Sequence, residues 1–417
     1  MSYGSQGKRL REVQKRSREL EESVFRTIAS LTTAKGGRAS KVRYSDLHKL
    51  ATVQVDVVVP NTEQPDTLFF VTYTDPDNPG HSNENKLHLK LGELYLFKTY
   101  NPKLRCVLVV AESEHAWLAY VLRAFELFFD RIVYTWQGDL RQKLDESLSS
   151  VHRNERLWND EARRVRSIPY TSDLEVASNS SLRADFYRKV VPNELGVKDP
   201  SAVGHPILAA MARDAKATFE KTGGKQGMFW QHLSRSNYDA IWEERTYFNP
   251  MEYTVSYLLK RAMFRFKPQF PVPYVLQQFG MSESYAKEDF ALKAADDKDV
   301  FIQCKASGGG MAQHGKAVMN RSKEQVARSL LYRSSREGDE LRSGTKSFYW
   351  ISVIDGKWRI PRRYPLKYVH MLQMAGYDRI FAASSLVQGD DLLPNDRSQL
   401  VAYLESLGCL KQGEAVP

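Results

Sequence analysis

Short β-branched and aromatic runs alternate with longer stretches of helical period along this chain, and that alternation limits the fold more than any other feature. Residues 52–60 (TVQVDVVVP) and 67–74 (TLFFVTYT) read as strands. Residues 8–32 precede them as a helix, with Leu10, Val13, Leu20, Val24, Ile28 and Leu31 near a 3.6 period. Residues 85–99 read as a helix, 104–110 (LRCVLVV) as a buried strand, 114–129 as a helix and Arg131–Trp136 as a short strand. That order predicts an α/β or α+β domain over residues 1–140. Residues 141–248 read as a helical, polar linker or recognition region, broken at Pro169, Pro192, Pro200 and Gly223–Gly224.

The third region, 249–417, opens on a helix (NPMEYTVSYLLKRAMFRF) with proline in its first turn and Pro268 after its end. A strand at Phe290–Lys293, a turn at Ala294–Asp299 and a strand at Val300–Cys304 follow. A basic helix near 316–333, a strand at Phe348–Ile354, a helix at Leu366–Ala375 and a last strand near Arg379–Ser384 complete it. The fold class expected is α/β (α+β): a C-terminal mixed sheet flanked by helices, an N-terminal α/β domain and a helical middle. No internal repeat of fixed period is visible.

Charge narrows the partners. The chain of 417 residues carries a net charge of +10, unevenly spread. Residues 8–18 (KRLREVQKRSR) hold six basic groups and one acid. Residues 306–336 hold Lys316, Arg321, Lys323, Arg328, Arg333 and Arg336 against Glu324. Residues 356–367 (GKWRIPRRYPLK) hold five basic groups and no acid. Single-sign stretches favour a phosphate-binding surface, hence nucleic acid. Lys316, Arg321, Lys323 and Arg328 are the candidate phosphate contacts. In the middle region, GGKQGMFWQHLSRSNYD supplies Gln231, Arg235 and Asn237, side chains of the kind that read base edges; the plainer reading is a helix with a wet polar face.

Three cysteines, Cys106, Cys304 and Cys409, lie far apart and are odd in number. They make no disulfide framework or cysteine zinc site and suit a reducing cytoplasm. No apolar run approaches the ~18 residues of a membrane span, and no secretory signal is expected. Phosphate-loop, GxSxG and Rossmann signatures are missing, so ATP-driven translocation, serine hydrolysis and methyl transfer have no support.

The chemistry concentrates in EDFALKAADDKDVFIQCKASGGG (288–310). Alternation puts Gln303 and Lys305 on one strand face, with Cys304 turned to the core. A hairpin brings Asp289 beside them, at the start of its strand; Glu288 or Asp299 could serve as the acid instead. Oxygen ligands of this kind suit Mg²⁺, which polarises a phosphate and acidifies bound water. A lysine can orient or deprotonate that water.

Over roughly 249–386 the chain resembles the PD-(D/E)XK nuclease superfamily, and most closely its type II restriction endonucleases. A glutamate on the preceding helix (Glu252), the motif aspartate (Asp289) and the D/E-X-K strand carry the resemblance. That strand here reads Gln303-Cys304-Lys305, which removes one negative charge and leaves the number of metals open. The resemblance implies that Asp289, Gln303 and the Cys304 carbonyl hold Mg²⁺, that Lys305 activates water, and that Glu252 supports the site or a second metal. It implies a bacterial or archaeal cytoplasmic enzyme that cuts double-stranded DNA at specific sites, with a partner DNA methyltransferase. Cutting both strands of a symmetric site is most simply done by a homodimer. A non-cleaving DNA-binding protein on a decayed nuclease fold, and a repair or structure-specific nuclease, are the rivals.

The N-terminal domain offers a second, weaker pattern. QVDVVVP and TLFFVTYT repeat the strand–turn–strand order with Asp56 in the acid position. Thr72-Tyr73-Thr74 stands where acid-X-lysine is needed, and the next helix carries Lys86, Lys90 and Glu93. This reads as a degenerate nuclease-like copy, kept for DNA binding or dimerisation. His81 and His88 invite an HNH reading but lack the expected strand pair.

Overall fold

Strand β3 (Thr67–Tyr73) is buried at every residue, and β4 (Arg105–Ala111) at all but its first. Continuous apolar runs of this kind belong to central strands covered on both faces. The computed structural model describes residues 3–41, 55–61, 63–75, 81–111, 116–149, 151–168, 250–272, 286–305, 314–334, 348–354, 365–382, 387–388, 391–392 and 398–413. These fall into two units: the described residues of 3–168 with 322–334, and those of 250–272, 286–321 and 348–413. The expected mixed α/β architecture is present in both.

In the first unit, β1 (Ser40–Lys41), β2 (Val57–Val59), β3, β4 and β5 (Arg131–Tyr134) form one sheet in that order. The β1–β2 and β2–β3 pairs are antiparallel; the β3–β4 and β4–β5 pairs are parallel. Helix α1 (Tyr3–Ala34) lays Val24, Ile28 and Leu31 on Val57, Phe69, Val71, Val107 and Val109. Alternation sends Phe70 to the other face, where it meets Phe97 of α2 (His81–Tyr100) and Phe129, just beyond α3 (Ala116–Phe125).

The unit runs past the expected boundary at residue 140. Helix α4 (Leu140–Leu148) buries Leu144 in the α1 core, and α5 (Glu155–Ser167) packs Trp158 on Tyr95 and Phe128. Their apolar faces need that cover. The rest of the expected helical middle, residues 169–249 with Gln231, Arg235 and Asn237, lies outside the described residues.

In the second unit the sheet order is β10-β9-β8-β7-β6. Its strands are β6 (Lys267–Val272), β7 (Ala286–Lys293), β8 (Asp299–Lys305), β9 (Phe348–Ile354) and β10 (Arg379–Ala382). The β6–β7 and β7–β8 pairs are antiparallel, and β8–β9 and β9–β10 are parallel. Helix α6 (Pro250–Arg261) leads in and packs against β8. Helix α7 (His314–Arg333) links β8 to β9 along the chain; its stretch from Ser322 counts with the first unit. Helix α8 (Pro365–Ala375) links β9 to β10. A small hairpin, β11 (Val387–Gln388) and β12 (Asp391–Leu392), and α9 (Gln399–Ser406) follow. Strand β6 was unexpected because it contains Pro268 and Pro271, which an edge strand tolerates and an inner strand does not.

The two sheets therefore share one topology: helix, three antiparallel strands, helix, parallel strand, helix, parallel strand. Two residue-level matches support the equivalence. Asp56 Oδ2 accepts the Val71 N–H at 2.6 Å, and Asp289 Oδ2 accepts the Cys304 N–H at 2.5 Å, each spanning 15 residues. Asp130 Oδ2 accepts the Cys106 N–H at 2.7 Å, and Asp378 Oδ2 accepts the Trp350 N–H at 2.5 Å. Each of those last aspartates opens the triplet Asp-Arg-Ile, 130–132 and 378–380. The interval from Asp56 to Asp289 equals that from Val71 to Cys304, from His81 to His314 and from Tyr100 to Arg333. The repeat lacks a fixed period because that interval changes beyond α2 and α7.

Candidate functional site

The β7–β8 hairpin turns through Asp297, whose φ of 61° is left-handed, and is closed by the Ala294 N–H to Lys298 oxygen bond at 3.0 Å. Its ladder stops at the Phe290–Ile302 pair. There the strands part, and the Asp289 carboxylate takes the Cys304 amide. Asp289 lies inside β7, three residues after its start, and is partly buried.

Gln303, next to Cys304, is buried with 3% exposed. Its Oε1 accepts the Tyr377 hydroxyl at 2.9 Å. Trp350 stacks on Tyr377 with ring centroids 4.3 Å apart and 22° between planes. Cys304 is buried as well, and so are Phe301 and Ile302, so this strand is covered on both faces. Lys305 ends β8, paired in the ladder with Ile354; its side chain lies outside the described residues.

The two alternative acids have other occupations. Glu288 is buried and accepts the Trp350 indole N–H at 3.4 Å. Asp299 sits at the turn end of the hairpin, 3.1 Å from the Lys293 ammonium. Asp289 is thus the acid at the strand divergence. Glu252 is half-buried in the first turn of α6. Among the described residues no three His, Cys, Asp or Glu side chains converge on a metal position. The donors at the divergence are one carboxylate, one amide oxygen and the Cys304 carbonyl, an oxygen-only set that suits a hard cation such as Mg²⁺.

The basic helix needs correction. Lys323, expected on a DNA-facing surface, is buried with its ammonium 2.8 Å from Glu93. Arg333, counted in the same basic stretch, is buried in a two-pronged pair with Glu161 at 2.9 and 3.0 Å. Burial alone would raise the Glu161 pKa, but Arg333 and Arg164 hold it down at about 2. Both cations have partners far back in sequence, so a local count read them as unbalanced. Arg328 is half-buried; the side chains of Lys316 and Arg321, on the first part of α7, lie outside the described residues.

The first unit has its own charged cluster at the place equivalent to Asp289. Asp56 is bound by the Lys90 ammonium at 3.0 Å, and Lys90 lies 3.6 Å from Glu93. The equivalence with β8 puts Phe70-Val71-Thr72, not Thr72-Tyr73-Thr74, where Gln303-Cys304-Lys305 stands. Phe70 packs on Phe129 with centroids 5.9 Å apart, at the place of the Gln303–Tyr377 pair. His88, considered for an HNH site, is buried against Phe125; burial and the Arg328 charge lower its pKa to about 3.

No family model matches this chain, and neither does any curated protein or solved structure. Among the described residues no helix is long and apolar enough to cross a membrane.

Proposed function

We propose that this chain is a site-specific double-stranded DNA endonuclease of the PD-(D/E)XK class, most like a type II restriction enzyme, acting with Mg²⁺. The observation that carries the reading is the Asp289 carboxylate seated on the Cys304 amide where β7 and β8 part. Gln303 and Lys305 stand on either side of Cys304 in β8. The helix–three strands–helix–strand order around it agrees with the reading, as does the basic excess.

Asp289, Gln303 and the Cys304 carbonyl would hold Mg²⁺, with Glu252 in support. The cation would polarise the scissile phosphate and acidify a bound water. Lys305 would orient that water and take up its proton, and its charge would offset the negative charge growing on the phosphate. Duplex DNA is the substrate, a second copy of the chain the partner for the opposite strand, and a DNA methyltransferase the protection for host sites.

A digest of sequenced DNA tests this. Discrete fragments with Mg²⁺ and none without are expected. Lys305→Ala should lower the rate by ~10²–10⁴-fold while specific binding in Ca²⁺ survives. Wild-type cutting by Lys305→Ala would sink the assignment, and a smear or cutting only at junctions would favour a repair nuclease. One observation favours a non-cleaving DNA-binding protein: the Gln303 amide is neutral and already engaged by Tyr377. Sequence-specific retention without any cleavage would establish that alternative.

A further inference from the structure

In the first unit the two carboxylates at the site equivalent to Asp289 are each met by an internal cation. Lys90 lies between them, 3.0 Å from Asp56 Oδ2 and 3.6 Å from Glu93 Oε2. Lys323 completes Glu93 at 2.8 Å. The second oxygen-bound contact of Asp56 is the Val71 amide at 2.6 Å. All four side chains are nearly or fully withdrawn from solvent, at 5%, 13%, 6% and 2% exposed for Asp56, Lys90, Glu93 and Lys323. The two carboxylates and the two ammonium groups offset one another in one enclosed place, with Glu21 also acting on Lys90.

We propose that Lys90 is a built-in cation: its ammonium occupies, between Asp56 and Glu93, the position a divalent metal would take. The first copy of the fold is thereby closed to metal, and each chain carries one cation site instead of two. The count of one rests on the reading of Asp289 given above; the closure of the first unit does not.

The physical case is one of charge and place. A hard divalent cation is drawn by uncompensated oxygen charge in a confined pocket. Asp56 has the same backbone seat as Asp289, so the scaffold of a cation site is there. Here Lys90 projects from α2 onto the carboxylate. Burial opposes the charge on Lys90, yet Asp56 and Glu93 hold it protonated, above the ordinary lysine range. Lys90 therefore stays an ammonium at any working pH and cannot serve as a base. A consequence follows for cutting: one chain would nick, and breaking both strands would need two chains.

Mn²⁺ binding, read by the loss of the free-ion electron-spin signal and by thermal shift, tests this apart from cleavage. Asp289→Asn removes the proposed site of the second unit and serves as the background. In that background the chain should take up no Mn²⁺ and its melting should ignore the ion. Adding Lys90→Ala should lower the melting temperature, restore one equivalent of Mn²⁺ per chain, and let Mn²⁺ raise melting again. Asp56→Asn should abolish the regained site. Lys90→Gln, which keeps most of the volume, stands in should Lys90→Ala not fold. The proposal is overturned if Asp289→Asn alone binds Mn²⁺ through Asp56, or if folded Lys90 variants stay blind to it. Failure of the nuclease reading shows differently, as a wild-type chain that neither cuts nor binds Mn²⁺ through Asp289.

Discussion

The Tyr377 hydroxyl donates to Gln303 Oε1 at 2.9 Å, and the pair stands where the first unit packs Phe70 on Phe129. A polar pair in one copy of a fold and an aromatic pair in the other is the clearest chemical difference between the two sheets. Tyr377→Phe should cost about 1–3 kcal/mol by leaving a buried amide oxygen less satisfied. It should also raise the Mg²⁺ needed for half-maximal cutting, because the amide is no longer held. Gln303→Glu keeps the acceptor and adds charge, so the Mg²⁺ requirement should fall. Denaturant melts and metal titrations check both; an unchanged Mg²⁺ requirement in Tyr377→Phe would make the bond purely structural.

The cations along α7 should separate in experiment. Arg321→Ala and Lys316→Ala should each flatten the salt dependence of DNA binding by about one counterion. Lys323→Ala should leave that slope alone and instead destabilise the fold by up to about 3–5 kcal/mol, since it takes from the buried Glu93 carboxylate the nearer of its two cations. Affinity measured across salt concentrations, beside thermal melts, distinguishes the two classes.

Gly92 marks a close helix approach within the first unit. A Cβ there would lie 2.2 Å from the Lys323 carbonyl oxygen, a backbone atom that cannot swing aside. Gly92→Ala should cost at least the ~1–3 kcal/mol of an overpacked core despite alanine's better helix propensity. A melting temperature at or above wild type would mean that α2 and α7 separate freely.

Acid should weaken the first unit through His88. Its pKa is near 6.5 unfolded and about 3 folded, so the unfolded chain binds the proton first. The stability this neutral histidine provides is complete above pH 6.5 and is lost as pH falls from there toward 3, at up to about 1.4 kcal/mol per pH unit. His88→Phe, placed beside Phe125, should flatten the melting profile between pH 6.5 and 4. An unchanged acid slope would assign the loss to other groups.

Several parts of this protein were legible in the chain. The runs TLFFVTYT, LRCVLVV and FYWISVI are strands because β-branched and aromatic residues suit inner positions covered on both faces. The strand–turn–strand pattern pointed to Asp56 and Asp289, though Asp289 lies inside its strand and not at the start, and alternation did not foresee that Gln303 is buried as deeply as Cys304. Two of the four edge strands were illegible: β6 carries two prolines, and β1 has two residues.

Only the tertiary structure decided which charges are surface and which are interior. Lys323 and Arg333 look like DNA-binding residues in sequence because Glu93 and Glu161 lie 230 and 172 positions earlier. The duplication was legible only in outline, through Asp56 and the repeated strand–turn–strand order. Equivalent positions such as Phe70 and Gln303, or Thr72 and Lys305, share no chemistry, while Asp56 and Asp289 share only an aspartate and the amide that binds it. Local sequence sets periodicity and turn chemistry within a few residues of each position. Ion pairing, burial and strand register are settled by groups brought together across the chain, and those decided that Lys90 meets the carboxylate of Asp56 in the first unit.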